Sequence, residues 1–258
     1  MIDRNRLEAI IKAAGQIAAA CWPGAGNALV AWEKTPGSPV CEGDLAVDAF
    51  LKTELLALLP GAGWLSEETP DSLARCDSDW VWLVDPIDGT RDFINGRPGW
   101  AVSVALVHRG QPVIAALDAP AMGHFWWAQA GAGATRNGIP LVASTQPHLV
   151  GARVPARVLP LADAGLVAIK QPNSIALRMA MVASGEADLL ATWRWGFEWD
   201  IAAAALIAAE AGALVSDALG APLVFNKPDP RDFGVLVAGP ALHPRAVEQL
   251  RAQDTGQR

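Results

Sequence analysis

The chain has no tyrosine, three cysteines and four histidines among its 258 residues. Cys21, Cys41 and Cys76 are odd in number and far apart, which argues against a disulfide framework or a paired-cysteine metal knuckle. His108, His124, His148 and His243 show no HExxH spacing and read as surface or structural residues. Charge is also scarce: 18% of residues are charged against 52% hydrophobic, so a disordered chain is excluded. Clusters of basic residues are missing, and 20 Lys+Arg face 27 Asp+Glu, a formal net charge of -7. Such a surface suits no nucleic acid polymer, because duplex binding rests on neutralised phosphates. Long apolar runs are absent too; Ile201 to Ala209 stops at Glu210, well short of the about 18 residues that cross a bilayer. Arg4, Arg6 and Glu8 interrupt the first stretch, so no secretory leader is read and the expected location is cytoplasmic.

What is present is an alternation of helix and strand signals. Leu7, Ile10, Ile11, Ala14, Ile17 and Ala18 recur at helical spacing, ahead of Pro23-Gly24. A polar loop from Glu33 to Pro39 leads to an expected helix over Asp44 to Leu59. Ala62 to Ser66 and Trp80 to Asp85 are strand candidates. Val102, Val104 and Leu106 then alternate with small residues, and the runs Pro112 to Leu117 and His124 to Ala130 extend them into an antiparallel meander. Trp80, Trp82, Trp126 and Trp127 fall in these patterns and are expected in the core. The loop Pro147 to Pro160 divides residues 1–146 from residues 147–258, two parts of one structural unit. In the second part, helices are expected over Asn173 to Ser184, Ile201 to Ala211 and Pro244 to Leu250, followed by a frayed polar tail.

Chemistry concentrates in carboxylates. Asp85-Pro86-Ile87-Asp88-Gly89-Thr90 follows the apolar run Val81 to Val84, so two hard oxygen donors emerge at a strand end beside a turn able to face an anion. A plain strand-end turn is the competing reading, since Asp, Pro and Gly favour turns. Asp44 shares a helix face with Val47, Leu51, Leu55 and Leu58, where a carboxylate needs a partner, although an N-cap is an ordinary alternative. Glu67-Glu68 ends another apolar run, and Asp200 heads an apolar helix. If these groups converge in an acidic chain, a cation must hold them together.

Leu65-Ser66-Glu67-Glu68, Trp82 to Thr90 (WLVDPIDGT) and Glu198 to Ala205 (EWDIAAAA) occur in this order. In these motifs the chain resembles the inositol monophosphatase superfamily of magnesium-dependent, lithium-sensitive phosphatases. The resemblance runs from about Ala9 to Val237. It implies an inositol monophosphatase-like sugar phosphatase fold, an α+β/α/β layered sandwich in αβαβα order. It implies a metal-dependent phosphoric monoester hydrolase with two or three Mg2+ ions, acting on a small phosphorylated metabolite and often dimeric. By position, Glu67, Asp85 and the Ile87 carbonyl would hold one ion, and Asp85, Asp88 and Asp200 a second. Asp88, Gly89, Thr90 and Asp200 would meet the substrate, while Asp44 with Thr90, together with Glu67, would serve the attacking water.

Ser38-Pro39-Val40, Ser66 and the run Gly89 to Ile94 look like the 3'(2'),5'-bisphosphate nucleotidase branch, so 3'-phosphoadenosine 5'-phosphate is the favoured substrate, with inositol 1-phosphate or a sugar phosphate as the alternative. Cys41 stands where the family usually has threonine, and Ile175 to Met179 departs from the family's usual substrate-side stretch. Arg178 reads first as a surface helix residue and second as an anion contact. Trp193, Trp195 and Trp199 crowd toward Asp200 and could stack on a substrate ring. A non-catalytic binding protein and a metal-free glycosidase are the other classes weighed.

Overall fold

The computed structural model describes residues 2–157, 161 and 164–253. The tail beyond residue 253 and part of the Pro147 to Pro160 loop therefore lie outside the described residues. In chain order the first part contains α1 (Arg4–Cys21), β1 (Ala31–Thr35), β2 (Ser38–Cys41), α2 (Glu42–Leu58), β3 (Gly63–Ser66), β4 (Trp80–Asp88), α3 (Thr90–Ile94), β5 (Ala101–His108), β6 (Gln111–Ala119), β7 (His124–Gln129), β8 (Ala134–Arg136) and β9 (Ile139–Pro140). The second contains β10 (Arg153–Val154), β11 (Val167–Ala168), α4 (Ile175–Ala183), β12 (Leu189–Ala191), β13 (Trp195–Phe197), α5 (Glu198–Glu210), β14 (Leu214–Ser216), β15 (Arg231–Phe233), β16 (Leu236–Ala238) and α6 (His243–Gln253).

β3 to β9 form one seven-stranded sheet in sequence order, with β3 parallel to β4 and every later pair antiparallel. Its strands alternate between two apolar faces because successive side chains point to opposite sides. Trp82, Val84, Val102, Val104 and Leu106 face α1 and α2. Val81, Leu83, Ala101, Ala105 and Val107 face α4 and α5. Every residue of α5 from Ile201 to Ala208 is buried, and its alanines allow it to lie close against the sheet. A second, three-stranded sheet (β12-β16-β14) follows, covered on its far side by α6. The order of layers is helix, sheet, helix, sheet, helix, the layered sandwich expected. One core cluster contains residues from Leu65 to Val237, and on this ground we propose that residues 1–146 and 147–258 fold as one unit.

Several local boundaries differ from the expected ones. Most of the loop Glu33 to Pro39 is the hairpin β1–β2, whose first strand is exposed at every position and so carries no apolar alternation. α2 begins at Glu42 and α5 at Glu198, which puts Asp44 and Asp200 inside the first turn. Their carboxylates accept the N–H groups of Cys41 and Phe197 from within the helix. Trp80 is 38% exposed and stacks on His108 with ring centres 4.0 Å apart, whereas Trp82, Trp126 and Trp127 are buried as expected. His243 is structural, buried and paired with Ser216.

Candidate active site

β4 continues past Asp85 to Asp88 through an irregularity. Asp85 pairs with Ser103 and Asp88 with Ala101, so three steps on β4 oppose two on β5. The extra residue turns the strand end and presents Asp85, the Ile87 backbone and Asp88 in succession, a use to which bulges are often put beside active sites. Asp85 and Asp88 are both buried. The Ile87 N–H donates to Asp85 Oδ1 (3.0 Å), and the Thr90 hydroxyl donates to the Ile87 carbonyl (3.0 Å). Between them Gly89 has φ +97°, and a Cβ there would lie 2.7 Å from the Gly99 carbonyl oxygen and 2.9 Å from the Ser174 nitrogen. Only glycine fits this position.

Glu67, Asp85 and Asp200 each offer an oxygen within 4.8 Å of the others. They arrive from three elements. Glu67 follows β3 and donates its N–H to the Val84 carbonyl (3.3 Å), Asp85 ends the apolar part of β4, and Asp200 lies in the first turn of α5. Burial, then the charges of Glu67, Asp88, Asp200 and Asp44, raise the Asp85 carboxyl well above its ordinary range. Burial, then Asp88 and Glu67, do the same to Asp200. Like charges held this close without a cation oppose folding, and a hard divalent ion relieves the repulsion while accepting carboxylate and carbonyl donors.

Asp44 lies beside this group and is 1% exposed. Its Oδ2 accepts from the Cys41 N–H (2.8 Å) and the Cys41 thiol (2.9 Å), whereas its Oδ1 is buried with no partner. Burial is the largest influence on its carboxyl, raised to about 7 although the Cys41 hydrogen bonds oppose the shift. The thiol therefore makes the hydrogen bond a threonine hydroxyl would make. The orphaned Oδ1, the carboxylate trio and the Ile87 carbonyl together fit a divalent cation and a polar reactant.

Asp88 stands outside the trio that lies within 4.8 Å. Its carboxylate accepts from the Ser174 hydroxyl and from the N–H groups of Ile175 (3.2 Å) and Ala176 (2.7 Å), at the start of α4. Asp44 and Thr90 make no hydrogen bond to one another among the described residues. Two further residues join the site from outside the motifs. Ser174 is one, and 86 positions separate it from Asp88. Lys34 is the other: its Nζ lies 3.1 Å from Glu67 Oε1 and 2.7 Å from Glu68 Oε1. Residue type and local spacing carry no signal for either pairing. Arg178 donates to the Pro172 (3.0 Å) and Asn173 (2.7 Å) carbonyls and so braces the segment before α4. A cavity of about 580 Å3, lined by Gly99, Pro172, Trp126 and Met181 among others, includes none of the carboxylates of the trio, so volume alone does not mark the chemistry.

A sequence model described as the inositol monophosphatase family matches residues 4–255. The chain belongs to this family. Inositol monophosphatase family relatives include a protein named inositol-1-monophosphatase from Mesorhizobium japonicum, 34% identical over 229 residues, 83% of each chain. Another, named 3'-phosphoadenosine 5'-phosphate phosphatase, from Mycobacterium bovis, is 37% identical over 203 residues, 73% of each chain. Among solved structures, the extragenic suppressor protein suhB from Bartonella henselae superposes with a TM-score of 0.81 at 25% identity, covering 97% of this chain and 98% of that one. The chain is thus a phosphatase of the inositol monophosphatase family, with an acidic cluster able to hold a metal. No helix among the described residues is long and apolar enough to cross a membrane.

Proposed function

We propose that the protein hydrolyses the sugar-borne phosphate of a 3'(2'),5'-bisphosphate nucleotide, with 3'-phosphoadenosine 5'-phosphate as the preferred substrate. The reading includes Mg2+ as the cation, two or three ions per site, a cytoplasmic location and a homodimeric state. One observation carries the substrate preference. Trp195, 50% exposed, has Arg231 over its ring (5.4 Å) and Phe233 at its edge and lines a narrow crevice with Asp200 and Arg194, so an aromatic side chain stands at the surface beside the carboxylates, where a base can stack in place of the guanidinium. Stacking of a base on such a ring contributes about 1–3 kcal/mol. The mycobacterial relative and the run Gly89 to Ile94 support the same reading.

Glu67, Asp85, the Ile87 carbonyl and Asp200 would hold the ions, with Asp88 available to a second one. Bound Mg2+ would supply positive charge that acidifies a water and offsets charge developing on the leaving oxygen. Asp44 Oδ1, orphaned and buried, takes the proton of the attacking water, and a carboxyl raised to about 7 is poised to do so. The two Cys41 hydrogen bonds hold the opposite oxygen and aim the carboxylate. Gly89 and Thr90 meet the phosphate through backbone N–H groups where the chain can approach closely. Their positions follow from the bulge in β4 and from the Thr90 to Ile87 hydrogen bond.

Phosphate release from 3'-phosphoadenosine 5'-phosphate, inositol 1-phosphate and sugar phosphates, with and without Mg2+ and Li+, tests this reading. Expected are a preference for the bisphosphate nucleotide, loss of turnover in chelator and a rise in KM of about tenfold for that substrate alone in Trp195→Ala. Equal turnover of unrelated esters, or faster inositol 1-phosphate hydrolysis, refutes the substrate assignment. Sedimentation velocity checks the homodimer.

A further inference from the structure

The cavity of about 580 Å3 that bypasses the acidic trio has the size of a small-molecule site, for which about 300–1,000 Å3 is usual. Its apolar wall comes from Trp126 on β7, Leu177 and Met181 on α4, and Met122 and Ile169 in the adjoining segments. Trp126 and Leu177 are buried. Around this wall stand four cations, Arg97, Arg136, Arg157 and Lys170, against two carboxylates, Asp92 and Glu186. Arg136 lies 2.5 Å from Glu186 and over the Trp126 ring at 5.9 Å, and Arg97 lies 3.5 Å from Asp92. Arg157 and Lys170 make no hydrogen bond or ion pair among the described residues. Two positive charges therefore stand unmatched beside an apolar cavity, in a chain whose net charge is -7.

Seven buried side-chain nitrogen and oxygen atoms lack a partner among the described residues, and three belong to residues of this one wall: Trp126 Nε1, His124 Nδ1 and Gln171 Oε1. Trp82 and Trp100 leave theirs in the packed core, whereas His124 and Gln171 are half-buried and can turn to meet a bound polar group. Burial, then the Arg136 charge, lowers the His124 ring below its ordinary range, so near pH 7 it is neutral and able to donate and accept. We propose that this cavity is a second ligand site, which takes a small aromatic anion: a planar body against Trp126, Leu177 and Met181, with its acidic group held by Arg157 and Lys170. A neutral ring would leave the two cations unmatched, and an inorganic anion would leave the apolar wall wet. Nothing in this site depends on which phosphate ester the trio serves. Its Gln171 and Pro172 lead into Ser174, the partner of Asp88, so an occupant borders the segment that holds Asp88 without covering the trio.

Isothermal titration with naphthalene-1-sulfonate, 1-naphthalenemethanol and inorganic sulfate tests the site, with circular dichroism to verify folding. The proteins are wild type, the double variant Arg157→Met/Lys170→Met, Met181→Glu, Asp85→Asn and Lys52→Met, whose helix α2 packs on the opposite face of the sheet from α4. One sulfonate per chain should bind, about tenfold more tightly than the neutral alcohol or sulfate, and the double variant should lose that tenfold. Met181→Glu sets a carboxylate in the cavity and should abolish binding, while Lys52→Met and Asp85→Asn should match wild type. Undiminished binding by the double variant or by Met181→Glu, no preference over the alcohol or over sulfate, or no saturable binding at all overturns the proposal. Loss of binding in Asp85→Asn puts the sulfonate among the trio and overturns it too. So does binding that fades as rising protein concentration drives dimerisation in sedimentation velocity, because a second copy then covers the cavity.

Discussion

Asp118 offers a measurement of electrostatic cost away from the chemistry. It sits on β6 facing α1 and is 6% exposed, and its side chain makes no hydrogen bond or ion pair among the described residues. Gly15 of α1 makes room for it: a Cβ there would lie 1.8 Å from Asp118 Oδ2. Burial raises its carboxyl to about 7 from 3.8, with the Lys12 charge opposing the shift. The folded state therefore holds a proton that the unfolded chain has released between these values. Stability from this group is complete below about 4, falls as pH rises, and is gone above about 7. Three units at 1.36 kcal/mol each set a ceiling of about 4 kcal/mol, and relaxation of the surroundings brings the expected effect to about 2 kcal/mol. Urea unfolding of wild type and Asp118→Asn in metal-free buffer should show the variant about 2 kcal/mol more stable at pH 8.5, with the gap closing by pH 4.5. A variant equal to or weaker than wild type at pH 8.5 would mean that the carboxylate has a compensating partner, and the reasoning would fail.

Replacing Asp85 with Asn should weaken Mn2+ binding by more than about 100-fold in calorimetry and abolish turnover, since even groups that only support a metal ligand are worth about 10–100-fold. Asp44→Asn should cut kcat by about 100-fold or more while leaving Mn2+ affinity within a few fold, which steady-state kinetics and calorimetry together resolve. Because the Cys41 thiol bonds Asp44 Oδ2, Cys41→Thr should keep kcat within about threefold and Cys41→Val should lower it about tenfold in the same assay. Glu198 is fully buried and accepts from the N–H groups of Asn226 (2.5 Å) and Lys227 (3.1 Å) and from Lys227 Nζ (2.8 Å). Glu198→Ala should cost about 3 kcal/mol in urea unfolding, the low end for a broken buried pair because Lys227 is partly exposed.

What could be read from the chain follows the range of the forces involved. The apolar run Val81 to Val84 of β4 and the alternation of large with small residues in β5 were legible because both faces of the central sheet are apolar, one packed on α1 and α2 and the other on the alanine-rich α5. Asp44 stood out because a carboxylate on an apolar helix stripe is anomalous at any range, and it is buried with one oxygen unpartnered. The hairpin β1–β2 gave no such signal, since its first strand faces solvent and Lys34 ties it to residues 33 and 34 positions away. α2 and α5 start two and three residues ahead of the expected Asp44 and Ile201, because Asp44 and Asp200 cap their helices from inside the first turn while resembling residues that open one. The bond from Ser174 to Asp88 joins distant parts of the chain, and nothing near either residue announces it.

That last bond restricts how a reactant can reach the carboxylates. Asp88 receives three hydrogen bonds from the start of α4, and beside it the Ser174 N–H donates to the Gly99 carbonyl across Gly89, with no room for a side chain between. A hinge parting β4 from α4 would have to break all four contacts in one step, at a desolvated seam where each is hard to replace with water. The two parts of the molecule are therefore locked together at this seam, and turnover can proceed on a frame that stays rigid.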